Sequence, residues 1–201
     1  MWEGAAARLE GRVVVLEPLR REHADGLFAA SKDPELWRWL SVVQPTTRDR
    51  FDAWLEDVLA RADAGLDVPF ATLHARSGNP IGSTRYLALR PDDRALEIGC
   101  TCLSPVAWRT GANVEAKLLQ LGHAFETLGA RRVEFKTDAL NERSRRALEA
   151  LPARFEGVFR QHMLVRGGEN RDSAWYSVLD GEWPDVRANL RRRLDAALAR
   201  R

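Results

Sequence analysis

The sequence predicts an α+β fold: a mixed β-sheet covered by helices. Three observations predict it. Apolar runs of strand length cluster at residues 68–103 and 155–179, with turn chemistry between them. Stretches with helical spacing and capping signals interrupt these runs. A short strand, Arg132 to Thr137, lies between two helical stretches, the arrangement of a strand–helix–strand crossover.

The first strand is expected over Arg12 to Leu19, rich in valine and ended near Pro18. Arg21 to Lys32 then reads as a helix with Leu27 and Phe28 on its apolar side. Asp33-Pro34 starts a short turn that carries Trp37 and Trp39. Thr47 is an N-cap candidate for a helix to about Ala64, with Phe51, Trp54, Leu55 and Val58 at helical spacing. Strands follow at Val68 to Ala75, Ile81 to Arg90 and Arg94 to Leu103, and Ser77-Gly78-Asn79-Pro80 makes the first connection a hairpin. A helix from about Asn113 to Leu128 ends at Gly129. After the strand Arg132 to Thr137, Glu142 to Leu151 is a helix stopped by Pro152. Phe155 to Val165 and Trp175 to Leu179 form a closing antiparallel pair through Gly167-Gly168, and Pro184 opens an arginine-rich terminal helix. With no repeat and no low-complexity linker, residues 1–201 are expected to form one domain.

Composition narrows the functional classes. The 31 basic and 29 acidic residues leave a net charge of +2, which argues against a nucleic-acid binder with a cationic surface. The terminal helix carries Leu190, Leu194 and Leu198 at amphipathic spacing, so it is expected to pack on the domain or on a second subunit as a homodimer. Cys100 and Cys102 sit on one strand without further metal ligands nearby, which suggests buried thiols in a reducing, cytoplasmic compartment and no metal. No window reaches the roughly 18 to 20 apolar residues of a membrane span, so no membrane partner is expected.

The most informative stretch runs from Leu103 to Lys117. A strand ends, a loop with Trp108, Arg109, Thr110 and Gly111 follows, and a helix begins near Ala112 and Asn113. Such a junction presents unpaired N–H groups and the positive end of a helix dipole, a cradle for a pyrophosphate. Gly111 would let the backbone approach the phosphates, and Arg109 would add a charge-assisted contact. Taken alone, a glycine in a strand–helix loop is a weak signal and fits an ordinary connection better.

The order of elements and this loop resemble the GNAT acetyltransferases, whose acetyl-CoA motif is Gln/Arg-x-x-Gly-x-Gly/Ala at the start of the central helix. Asn141-Glu142-Arg143-Ser144 is similar to the family's second cofactor motif. Phe155-Glu156-Gly157-Val158 with Arg160, Arg171-Asp172-Ser173, and Glu182-Trp183-Pro184 resemble the ribosomal-protein (RimJ/RimL-like) branch. Leu16-Glu17-Pro18-Leu19 fits the same branch, and the similarity spans about residues 10 to 185. Trp108 stands at the Gln/Arg position and Asn113 at the final Gly/Ala position, where Asn113 can act as an N-cap. Leu148 occupies the position where many members carry a tyrosine that protonates the departing thiolate, and Pro152 replaces the glycine of the usual Leu-Gly turn.

The resemblance implies direct transfer of an acetyl group from acetyl-CoA to a primary amine, of a protein amino terminus or a small molecule. The thioester is expected where the strands ending at Leu103 and Thr137 splay apart, with a backbone N–H near Leu103 aimed at its carbonyl oxygen. Glu97 is the candidate base; the alternative is a strand glutamate paired with Arg85 or another cation. Ser144 is the nearest hydroxyl for the acid. Asn141 could bind the pantetheine arm or simply cap its helix. Trp37, Trp39, Arg85, Tyr86, His162 and Asp172 are candidates for the acceptor wall; the tryptophans could equally be core and His162 a packed structural residue. A non-catalytic acyl-CoA-binding domain is the competing function.

Overall fold

The computed structural model describes residues 2–200; Met1 and Arg201, at the ends of the expected terminal segments, lie outside the described residues. One eight-stranded sheet is built from β1 (Leu9–Glu10), β2 (Val14–Pro18), β3 (Val68–His74), β4 (Pro80–Arg90), β5 (Ala95–Leu103), β6 (Arg132–Asp138), β7 (Arg154–Val165) and β8 (Glu169–Leu179). The spatial order is β1-β2-β3-β4-β5-β6-β8-β7. Among the described strands only β5 and β6 run parallel. The helices are α1 (Ala24–Ala30), α2 (Arg48–Asp63), α3 (Ala112–Gly122), α4 (Glu142–Ala150) and α5 (Trp183–Leu198).

Strand alternation divides the apolar residues between two faces. Phe70, Tyr86, Leu96, Val133, Phe135 and Tyr176 form the main core with α3 and α5. The opposite residues of β2 and β3, Val15, Ala71 and Leu73, pack on Leu27 of α1 and on Phe51, Leu55 and Val58 of α2. On that second face, β5, β6 and β8 instead present the polar side chains that build the site below. The terminal helix buries Val186, Leu190 and Leu194 in the main core, so its apolar stripe packs on its own chain.

Three boundaries differ from the periodicity. The strand expected from Arg12 begins at Val14, and an additional short strand, β1, precedes it and pairs with it antiparallel, Leu9 opposite Leu16. The central helix starts earlier, at Ala112, and its last turn widens into a π-helical turn over His123–Thr127. That turn lets His123 Nε2 meet the Gly4 carbonyl at 3.0 Å. Strand β8 begins at Glu169 rather than Trp175. Its first residues are polar and show no apolar alternation, so no periodic signal marked them.

A buried ammonium group interrupts the main core. The Lys117 ammonium donates to Thr101 Oγ1 at 2.9 Å and to Gln120 Oε1 at 3.2 Å. Burial lowers its pKa from an ordinary 10.5 to about 7. Between these values the unfolded chain binds the extra proton, so stability should rise with pH from about 7 to about 10.5. The slope is bounded at about 1.4 kcal/mol per pH unit. Lys117→Met should flatten it, as urea unfolding at pH 7 and pH 9.5 would show; a slope equal to that of the wild type would remove Lys117 as its source.

Candidate active site

The site begins where the parallel pairing stops. β5 and β6 are in register only at Ala95 with Arg132, Leu96 with Val133 and Glu97 with Glu134. Beyond Glu97, β5 follows β4 and β6 follows β8. A register shift lies between Ser83 and Arg85, opposite Cys100, whose φ of 47° marks a bulge in β5. A wedge-shaped gap therefore opens between the C-terminal halves of the two central strands. Ser104 N–H donates to the Ile81 carbonyl on β4, so the alternating backbone turns Leu103 toward the gap. The Leu103 carbonyl accepts from Trp108 Nε1 at 2.7 Å, which leaves its N–H facing the opening.

The loop after β5 supplies the second wall. A 3₁₀ turn over Pro105–Ala107 leads to Arg109, exposed with φ 62°, and to Gly111 at φ 89°. Thr110 Oγ1 donates to the Ala107 carbonyl at 2.7 Å and accepts from Ala112 N–H at 3.3 Å, which closes the loop onto the helix. Gly111 is the N-cap of α3, so the expected capping by Asn113 is corrected: Asn113 is the second residue of the helix. The role of Gly111 also changes. A Cβ there would lie 3.3 Å from Leu194 and Ala197 of α5, so its missing side chain faces α5, and the left-handed φ independently favours glycine. The N–H groups of Asn113 and Val114 in the first turn are the ones that helix geometry leaves without a carbonyl partner, as an anion site requires.

Across the gap, Asn141 caps α4. Its Oδ1 accepts from Ser144 N–H at 3.1 Å, the local reading of that residue. The second residue of α4, Arg143, stacks over the Trp108 ring at 4.4 Å, so the loop after β5 and the first turn of α4 meet at the rim. Ser144 lies in that turn, half-buried. Leu148 is buried in the main core, so that position of α4 contributes no hydroxyl. An unpaired strand edge, first-turn N–H groups and the cations Arg109 and Arg143 are the donors that a pantetheine arm and a pyrophosphate require. The residues present fit acetyl-CoA.

Glu97, at the apex of the wedge, is 2% exposed. Its Oε2 accepts from Lys136 Nζ at 2.7 Å, so its partner is Lys136 and not Arg85. Burial raises the carboxyl above the usual carboxylate range, and the positive charge of Lys136 withdraws part of that rise. Oε1 faces the notch over Gly99, where an added Cβ would lie only 2.8 Å away. Arg85 instead meets the buried carboxylate of Asp67 at 3.4 Å and lies over Trp54. Lys136 carried no sequence signal, because its importance comes from standing two residues past the last parallel pair.

The other acceptor candidates separate. His162 is half-buried on the site face, with Nδ1 3.0 Å from Ser173 Oγ and its ring edge-on to Trp175. Burial, then Lys136 and Arg171, hold its pKa below the ordinary value. Trp39 is half-buried under the Arg38 guanidinium, whereas Trp37 is 3% exposed, bonds the Ser31 carbonyl at 2.7 Å and packs beside Cys102. Two candidates are corrected. Tyr86 is fully buried on the opposite face, donating to the Gln120 carbonyl at 2.7 Å, because β4 alternation turns it into the main core. Asp172 is exposed and points away from the face of its neighbours Arg171 and Ser173, and its carboxylate accepts from Gln161 N–H at 2.7 Å to hold the irregular stretch of β7.

A mixed sheet with one parallel pair splayed beside a helix N-terminus defines the class of acyl-CoA-dependent acyltransferases. Comparison with known proteins carries this to a family. Residues 14–154 match the acetyltransferase (GNAT) domain. The chain belongs to the GNAT acetyltransferases, and acetyl-CoA is its acetyl donor. Among solved structures, a GCN5-related N-acetyltransferase from Brucella melitensis is 38% identical, with TM-score 0.87, over 94% of this chain and 86% of that one. An acetyltransferase-like protein of T. thermophilus is 42% identical, with TM-score 0.87, over 96% and 100%. Mycobacterium smegmatis RimJ, solved with CoA-disulfide, shares the fold at 22% identity and TM-score 0.76, over 95% and 93%. No curated protein matches the sequence.

Proposed function

We propose that this enzyme acetylates the primary amine of a protein amino terminus or a small molecule, entering from the sheet face that carries Glu97. The observation that supports this most is the end of parallel pairing at Glu97, which sets a buried, high-pKa carboxylate at the apex of the gap. Bound acetyl-CoA supplies an activated acyl carbon and a thiol leaving group. In this reading the first turn of α3, Arg109 and Arg143 hold the phosphates, Thr110 and Ala112 shape the loop between them, and Trp108 and Asn141 bound the pantetheine channel. The N–H of Leu103 polarises the thioester oxygen. Glu97 takes the ammonium proton, directly or through water, and Ser144 returns one to the sulfur. Trp39, His162 and the ion-paired Arg85 line the approach. We read residues 1–201 as one such unit, cytoplasmic, in the RimJ/RimL-like branch.

Acetyl-CoA at 100 times its Kd should stabilise the fold by about 2.7 kcal/mol, a rise in Tm of about 5–10 °C. Thiol release from acetyl-CoA should then depend on an added primary amine. No change in Tm would end the reading of the gap as the donor site. A rise without amine-dependent release would favour a non-catalytic acyl-CoA-binding domain.

A further inference from the structure

Arg171 is 6% exposed, yet its guanidinium makes no hydrogen bond or ion pair with any described residue, and its Nε is a buried donor without a partner. Buried arginines are almost always paired, because an unused donor keeps its full desolvation cost. Its position explains what it waits for. Arg171 stands on β8 two residues before Ser173, which pairs with Asp138, the last residue of β6. Alternation puts Arg171, Ser173 and Trp175 on one face, and the Trp175 ring lies 5.3 Å from the Lys136 ammonium that holds Glu97. With β6 ended, the Arg171 side chain has no strand between it and the wedge. Its electrostatic neighbours are Asp138, Glu97 and Cys100, one on each wall of the gap and one at the apex, together with the cation Arg166. Neither carboxylate comes within ion-pair distance of it. A planar guanidinium offers paired N–H donors matched to the two oxygens of a carboxylate.

We propose that Arg171 receives a carboxylate of the acceptor, so that the substrate is a primary amine with a carboxylate a few bonds away. This rests on the reading of the Glu97 gap as the acetyl-transfer site. Strands about 4.8 Å apart put β8 about 10 Å from β5, a span that the arginine side chain largely crosses. The two charged ends of an amino acid then fit between Glu97 and Arg171. Two sources supply the same chemistry: a free amino acid, or the side chain of an acidic residue next to a peptide amino terminus.

The test compares kcat/KM for free amino acids against their amides, and for peptides beginning Ser-Asp against Ser-Asn. Tm shifts by the same compounds in the presence of CoA give a readout independent of turnover. The acid of at least one pair should be preferred by about 10- to 100-fold, mainly through KM, as expected for one or two charge-assisted hydrogen bonds. Which pair shows it identifies the source. Arg171→Met should abolish the preference and the acid-specific Tm shift while leaving acetyl-CoA affinity unchanged. It removes a buried unpaired donor, so it should melt no lower than the wild type. Arg171→Lys should retain part of the preference, since charge survives without the planar fork. Equal use of acid and amide by the wild type, no acid-specific binding, or a preference that survives in Arg171→Met would overturn the proposal. Failure to bind acetyl-CoA would instead strike the reading of the gap.

Discussion

Replacing Glu97 with glutamine should lower kcat about 100-fold while leaving acetyl-CoA affinity unchanged, the loss expected when a positioned general base is removed. Glutamine keeps the shape, and its amide oxygen can still accept from Lys136. What is lost is the capacity to take a proton, together with the negative charge that pairs with Lys136. Because burial raises the Glu97 carboxyl, the acidic limb of the wild-type profile should lie above the ordinary carboxylate range. The carboxyl must be ionised to act as base, so kcat/KM falls as pH drops through that value. The glutamine variant should lose this limb as well as the rate. A variant with wild-type kcat and an unchanged limb would leave Glu97 as the ion-pair partner of Lys136 and no more.

The largest loss of stability is expected at Glu115. Its carboxylate, in the first turns of α3, accepts from three successive backbone N–H groups: Arg12 at 2.8 Å, Val13 at 2.5 Å and Val14 at 2.8 Å. Arg12 and Val13 lie in the bend between β1 and β2 and Val14 opens β2, and the carboxylate takes the N–H groups of all three. Gly11 makes room for the contact, since a Cβ there would fall 2.4 Å from the Glu115 carboxyl carbon. Glu115→Ala strands these donors, two of them on buried residues, and should cost about 3–5 kcal/mol. In Tm this is about 10 °C or more for a chain of this size. Gly11→Ala should lose part of the same contact by displacing the carboxylate. Thermal unfolding of both variants tests this, and a loss under about 1 kcal/mol for Glu115→Ala would show that water replaces the carboxylate. The same contact fixes the start of α3, so acetyl-CoA affinity should fall with it.

Much of the architecture was legible because it rests on local rules. Thr47 caps α2 as its position before a helical run implies, accepting from Arg50 N–H at 3.4 Å. Gly167-Gly168 turns the final hairpin, and Asn141 caps α4 with its own side chain. Phe51, Leu55 and Val58 bury as their spacing requires. Glu115 escaped because a glutamate early in a helix is ordinary until a distant bend is brought against it. Arg171 escaped for a similar reason. Its strand begins in polar residues that carry no alternation of apolar side chains, so the face it shares with Glu97 could not be counted out from Trp175.

By itself the sequence determined the element order, the helix N-terminus after β5 and the carboxylate at Glu97, since each is set by residues close together in the chain. Tertiary structure alone decided what those residues face. Parallel pairing ends after three residue pairs, so the gap opens at Glu97. Strand parity sends Tyr86 into the core and Arg171 to the face that carries Glu97, although the sequence marked the first as a site candidate and the second only as part of a motif. Gly111 turns out to accommodate α5, whose packing across some 80 residues of chain no local pattern encodes. Partner choice among distant segments depends on which buried groups find donors and acceptors, and that is settled only when the sheet closes on its helices.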